Sequence, residues 1–103
     1  MTKLIINDDL KEFLKENKTS ILLGMERQHY IFKFPNDYGA SVIKGYGSYG
    51  YEDDLFELAL IKFYDSEDYD LFYDETGTFE GCVVCYLTNE RINELLKEIK
   101  ERN

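Results

Sequence analysis

The chain has 103 residues but no tryptophan, one proline, one histidine and two cysteines. Two cysteines, Cys82 and Cys85, are too few for a disulfide-stapled secreted scaffold, and with His29 as the sole further soft ligand they cannot complete a zinc knuckle. One histidine among scattered carboxylates also gives no basis for a Ser/His/Asp or Cys/His catalytic set, so a non-enzymatic protein is expected. No apolar run approaches the roughly 20 residues that span a bilayer. Met1-Thr2-Lys3-Leu4-Ile5-Ile6 followed by Asn7-Asp8-Asp9 lacks a signal peptide's long apolar stretch, which predicts a soluble, cytoplasmic protein. Basic residues are also scarce: 12 Lys and Arg against 21 Asp and Glu leave a net charge of −9. That balance disfavours nucleic acid and anionic membrane as direct partners, because affinity for phosphate comes from Lys and Arg.

Hydrophobic residues make up 44% of the chain and aromatics 16%, nine Tyr and seven Phe, enough for one packed core and a single domain over residues 1–103. Leu10, Phe13 and Leu14 fall at helical spacing, and Asn7 or Asp8 offers an N-cap oxygen, so a short amphipathic helix is expected over Asp8 to Asn17. Asn17 to Ser20 then reads as a break before the apolar Ile21-Leu22-Leu23, which stops at Gly24. Gln28 to Phe34 alternates with Tyr30, Phe32 and Phe34 on one face, a strand. Pro35-Asn36-Asp37 supplies turn chemistry for reversal into a second strand, Tyr38 to Lys44. Gly45 to Asp54 is a Gly/Tyr-rich loop. Leu55 to Phe63 has helix-favouring Leu, Ala and Glu, yet its turn-like flanks and nine-residue length favour strand. An acidic turn at Asp65 to Asp68, a strand at Tyr69 to Tyr73 and a turn at Asp74 to Thr78 follow. Gly81 to Leu87 is either a last strand or the extended entry to the final helix, where Thr88 is the N-cap and Ile92, Leu95, Leu96 and Ile99 form the apolar stripe. The expected fold is α+β: three to five mostly antiparallel strands, a short N-terminal helix and a C-terminal amphipathic helix.

Charge is segregated along the chain. Gly45 to Glu90 holds twelve acids against Lys62 alone, a net −11, whereas the remaining residues carry nine acids and eleven bases. Tyr49, Tyr51, Tyr64, Tyr69 and Tyr73 interleave with these acids, and tyrosine is enriched at interface hot spots. Acid plus tyrosine suggests a docking face that attracts a basic partner surface. Its candidate residues are Tyr46, Tyr49, Tyr51, Glu52, Asp53, Asp54, Asp65, Glu67, Asp68 and Asp70. The plainer alternative is a solvated loop surface that keeps the protein soluble.

Gly45-Tyr46-Gly47-Ser48-Tyr49-Gly50 matches G-x-G-x-x-G, but Glu52, Asp53 and Asp54 follow where a pyrophosphate would arrive, so a glycine-bent loop is preferred to nucleotide binding. Cys82 and Cys85 read as buried free thiols. The acids from Asp65 to Asp70 lack the glycine and distal Glu of an EF-hand loop, so no metal site is expected, and no cofactor. His29, opposite the aromatic face of its strand, reads as an exposed sheet residue.

Phe34-Pro35-Asn36-Asp37-Tyr38-Gly39-Ala40-Ser41-Val42, then Gly47-Ser48-Tyr49-Gly50, Leu55-Phe56-Glu57-Leu58-Ala59 and Tyr86-Leu87-Thr88 before the last helix, together resemble a family of small bacteriophage-encoded proteins of unassigned function. The likeness covers about Phe34 to Ile99. Asp37 stands where that family usually has Gly, Cys85 replaces the Gly before Tyr-Leu-Thr, and the acidic stretch near Asp65 is longer. The resemblance carries no catalytic residue to this chain. It implies a small protein acting inside an infected or lysogenic bacterium, where such accessory proteins bind and redirect host machinery, including restriction and CRISPR nucleases with basic nucleic-acid channels. The expected function is therefore inhibition or modulation of a host or defence protein, as an anti-CRISPR or anti-restriction protein, through nucleic-acid mimicry. Two alternatives stand beside it: a small-ligand or nucleotide-binding protein using Gly45 to Gly50, and a structural homodimer joined through a sheet edge or the last helix.

Overall fold

The computed structural model describes residues 3–22, 24–45, 55–73 and 83–102. Along the chain run a single 3-10 turn (Lys11–Phe13), β1 (Leu14–Leu22), β2 (Met25–Lys33), β3 (Tyr38–Gly45), β4 (Phe56–Phe63), β5 (Tyr69–Leu71), β6 (Val83–Leu87) and α1 (Asn89–Lys100). All strand pairs are antiparallel, in the order β1-β2-β3-β4-β5, with β6 also on β4. β3 holds one side of β4. On the other side β5 pairs with Ile61 to Phe63 and β6 with Phe56 to Ala59, so the two act as one interrupted outer strand.

Cross-strand rows show why the sheet has one dry face. Tyr30, Val42, Leu58 and Val84 lie side by side, as do Phe32, Ala40 and Leu60. All but the half-buried Val84 are buried. Helix α1 packs over β3 and β4 with Ile92, Leu95, Leu96 and Ile99 fully buried, the stripe expected from their spacing. Thr88 caps it as expected, its hydroxyl accepting from the Arg91 amide at 3.2 Å. On the opposite face Ile31, Ile61 and Phe63 make a smaller apolar cluster, with the Phe63 ring beside Gly39. A β-carbon at Gly39 would lie 2.1 Å from the Phe32 carbonyl oxygen, so only glycine fits there.

Two asparagines lock the helix to the rest. Asn93 is buried; its Oδ1 accepts from the Asn7 amide at 2.8 Å and its Nδ2 donates to the Ile5 and Asn89 carbonyls at 2.9 Å each. Asn89 Oδ1 accepts from the Ile5 amide at 2.6 Å. The N-terminal segment is thereby laid along α1, bringing Leu4 and Leu10 into the core. At the other end, Nδ2 of Asn36 donates to the carbonyls of Ile99, Lys100 and Arg102, and Oδ1 accepts from the Tyr38 amide. The Pro35-Asn36-Asp37 turn is thus also the helix's C-terminal cap.

Several expectations need correction. The helix expected over Asp8 to Asn17 is one 3-10 turn followed by β1, and neither Asn7 nor Asp8 caps it: a leucine, Leu10, stands at the cap position with no side-chain bond. A helix this short pays its nucleation cost for few bonds, whereas β1 gains a full ladder with β2. Asn17 to Ser20 lies within that strand rather than in a break. The sheet has six strands among the described residues, not three to five, because β1, expected as helix and break, adds a strand to those foreseen. Leu55 to Phe63 is strand, as expected, and Gly81 to Leu87 contributes β6. His29 is half-buried rather than exposed, its Nε2 2.7 Å from the Ser41 hydroxyl. Cys85 is half-buried, and Cys82 lies outside the described residues.

Asn93→Ala leaves the Asn7 amide and Ile5 carbonyl without their partner and is expected to cost about 1–3 kcal/mol in urea unfolding, with faster hydrogen exchange at Asn7. Asp37 has φ 70°, a left-handed conformation that glycine adopts most easily. Asp37→Gly is expected to raise unfolding free energy by about 0.5–1 kcal/mol, and Asp37→Val to lower it, in the same assay.

Candidate functional site

Four of the expected site residues, Asp65, Glu67, Asp68 and Asp70, meet in the β4–β5 hairpin, while Tyr46, Tyr49, Tyr51, Glu52, Asp53 and Asp54 lie outside the described residues. The hairpin is ordered by its own acids. Asp65 Oδ1 accepts from the amides of Glu67 and Asp68, both at 2.8 Å, and the Tyr64 amide donates to the Asp68 carbonyl at 3.0 Å. Such an Asx turn needs a short acceptor side chain at its first residue, which Asp65 supplies. At the base the Phe63 amide donates to the Asp37 carbonyl at 2.8 Å, and the rings of Phe63 and Tyr69 are 5.1 Å apart.

Across the hairpin the Tyr64 hydroxyl donates to the Asp70 carboxylate. This holds a ring that is 68% exposed in one orientation beside Asp70. Tyr73 is also 68% exposed and Leu71 60%. Tyr64 and Asp70 thus share one face of the hairpin, and Leu71, cross-strand from Ile61, lies on the other. The position of Leu71 was readable from the Tyr69-Leu71-Tyr73 alternation, which sends all three to one side of an outer strand.

The carboxylates differ in their protonation. Two backbone amides donating to Asp65 hold its pKa below the ordinary 3.8. Asp65 and then Glu67 face Asp68 and push its pKa up. Lys15 from β1 reaches Glu67 Oε1 at 3.2 Å, a partial neutralisation from the N-terminal third that sequence order did not suggest. Glu57 is not part of this group. It sits half-buried on β4, its pKa raised by burial. Glu90 begins α1.

Other features are weaker as sites. Gly45 closes β3 with φ 119°, and a β-carbon there would lie 2.3 Å from the Glu26 carbonyl oxygen, so close strand packing accounts for this glycine without a phosphate. A pocket of about 200 Å³ at the start of α1 is lined by Lys3, Ile5, Lys44, Leu55, Phe56, Thr88 and Asn89. It is smaller than the roughly 300–1,000 Å³ of ordinary small-molecule sites. His29 and Ser41 stand at nucleophile-to-base distance, but on a sheet face rather than in a cleft, and burial and then Arg27 lower the His29 pKa. Burial and then Glu57 raise the Cys85 pKa, which makes it a poor nucleophile. Among the described residues no group of three or more His, Cys, Asp or Glu side chains is arranged to hold a metal ion, and no helix is long and apolar enough to cross a membrane.

No protein-family model matches this chain, and no curated protein or solved structure matches it either.

Asp65 has a depressed pKa, so its stabilisation of the turn is present above the unfolded carboxylate range and is lost as pH falls through its lower folded value. Asp68 has the opposite sign: its charge strains the turn, and that strain is relieved as it takes up a proton first. Carbon-detected NMR titration of the two carboxyl groups is expected to show Asp68 titrating at higher pH than Asp65. Amide exchange at Glu67 and Asp68 should accelerate only after Asp65 is protonated.

Proposed function

We propose that this protein is a non-enzymatic binding protein whose β4–β5 hairpin docks onto a basic surface of another protein, a host or defence protein that it inhibits or modulates. The observation that carries this reading is the hairpin itself: Asp65, Glu67 and Asp68 in a turn pre-ordered by Asp65, with Tyr64 and Asp70 bonded to each other beside it and Leu71 and Tyr73 exposed further along the chain. Pre-ordering lowers the entropy that binding must otherwise overcome. Carboxylates spaced along a rigid turn meet Lys and Arg that would otherwise hold phosphates, and the tyrosines and Leu71 add apolar contact that survives salt. A restriction or CRISPR nuclease with a basic nucleic-acid groove is the partner class this chemistry fits, in keeping with the phage resemblance. Tyr46, Tyr49, Tyr51, Glu52, Asp53 and Asp54 are included in the proposed face on the strength of charge and sequence alone. Such a protein acts in the cytoplasm of the bacterial cell.

Affinity capture from bacterial lysate with the immobilised protein, at low and high salt, tests the reading against a triple variant Glu67→Lys, Asp68→Lys and Asp70→Lys. Captured nucleic-acid-binding proteins are expected to be retained at low salt and lost at high salt, with affinity falling at least about tenfold in the variant. Equal capture by the variant, with its fold intact by circular dichroism, would refute it.

A further inference from the structure

We propose that the outer edge of β1 pairs with the same edge of a second copy of this chain, antiparallel and centred on Asn17, to join two sheets into one. The pairing uses Glu16 to Leu22 and none of the hairpin acids; the ion pair of Lys15 with Glu67 lies outside that stretch.

β1 terminates the sheet: eight of its nine residues pair with β2 on one side, and among the described residues no strand pairs with the other. A free edge of this length is a ready template for another strand. Edge strands are usually blunted by proline, a bulge or charges that repel a second copy. Here the one irregularity falls between Leu14 and Glu16, and from Glu16 to Leu22 the register against β2 is unbroken.

The charges on this stretch choose the partner and the register. In an unbroken strand every second residue directs its backbone N–H and C=O away from β2, so outward-bonding residues share one parity. Two copies of β1 can therefore pair about a two-fold axis only with that axis on a residue, not between residues. With the axis at Glu16, Glu16 opposes Glu16; at Lys18, Lys18 opposes Lys18. With the axis at Asn17, each Glu16 lies opposite the other copy's Lys18, twice over. Both side chains are exposed and on one face, and within the chain they already stand 3.5 Å apart, so dimerisation completes a ring of four alternating charges. The same register carries Ile21, 73% exposed at the far end of β1, toward the half-buried Phe13 and Leu14 where the second copy's β1 begins. Asn17 and Ile21 share a face, the one on which Phe13 packs against Phe34 with ring centroids 5.2 Å apart. The net charge of −9 does not fall on the pairing edge: from Glu16 to Leu22 the strand carries one acid, Glu16, and one base, Lys18.

Sedimentation equilibrium of the full chain over a range of concentrations is expected to show a reversible monomer–dimer equilibrium that weakens with salt. Glu16→Lys and Lys18→Glu each replace two attractive cross-strand pairs with two repulsive ones and are expected to weaken the dimer about tenfold. The double variant, with the pairs restored in reverse, should recover the wild-type dissociation constant. Asn17→Cys places two thiols on the axis, within the 4.4–6.8 Å Cα spacing a disulfide needs, and should cross-link to covalent dimer far faster than Thr19→Cys under the same mild oxidation. A monomer at every concentration overturns the proposal, as do a double variant no better than the singles or equal cross-linking of the two cysteine variants.

Discussion

Among the described residues one helix must keep one face of a six-stranded sheet dry, and the rest of the fold follows from how that is done. Four apolar side chains of α1 meet two rows of sheet residues, and fully burying each such side chain is worth roughly 1.5–3 kcal/mol. Burial alone does not say where along the sheet the helix should stop. Asn93 and Asn36 do: their amides accept and donate only where the N-terminal segment and the β2–β3 turn stand, so the helix is fixed at both ends by directional bonds. With the helix held over β3 and β4, the sheet's outer edges and acidic hairpin are left to face outward.

What could be read in advance divides along physical lines. α1, β2, β3 and β4 announce themselves because burial on a single face imposes a period, 3.6 in Ile92, Leu95, Leu96 and Ile99 and two in Tyr30, Phe32 and Phe34. β1 does not, because an edge strand exposed on both faces has no period to show: Glu16, Asn17, Lys18, Thr19 and Ser20 look like a polar break. The spacing of Leu10, Phe13 and Leu14 is shared by an α-helix and by one 3-10 turn running into a strand, and only pairing with β2 separates the two. Asn36 and Asn93 were silent for another reason, since their partners lie 63 to 88 residues away in the chain.

The acidic turn was legible as charge but not as geometry. Composition shows that acids cluster between Gly45 and Glu90; it does not show that Asp65 spends its carboxylate on backbone amides while Asp68 bears the resulting crowding. Within a few residues, identical side chains therefore play unlike parts, one structural and one displayed. Lys15 illustrates the converse. Far away in sequence, it ends beside Glu67 because the hairpin and the start of β1 lie at the same end of their strands.

The divided outer strand has a bearing on how this architecture can vary. β5 and β6 are each registered on β4 independently, at Ile61 to Phe63 and at Phe56 to Ala59. Lengthening a segment whose two ends are held by the same neighbour raises its closure entropy only logarithmically, so the distance in sequence between the two strands can change while each keeps its alignment on β4. An insertion between β5 and β6 is therefore borne by β4 alone, leaving the hairpin and the helix where they are.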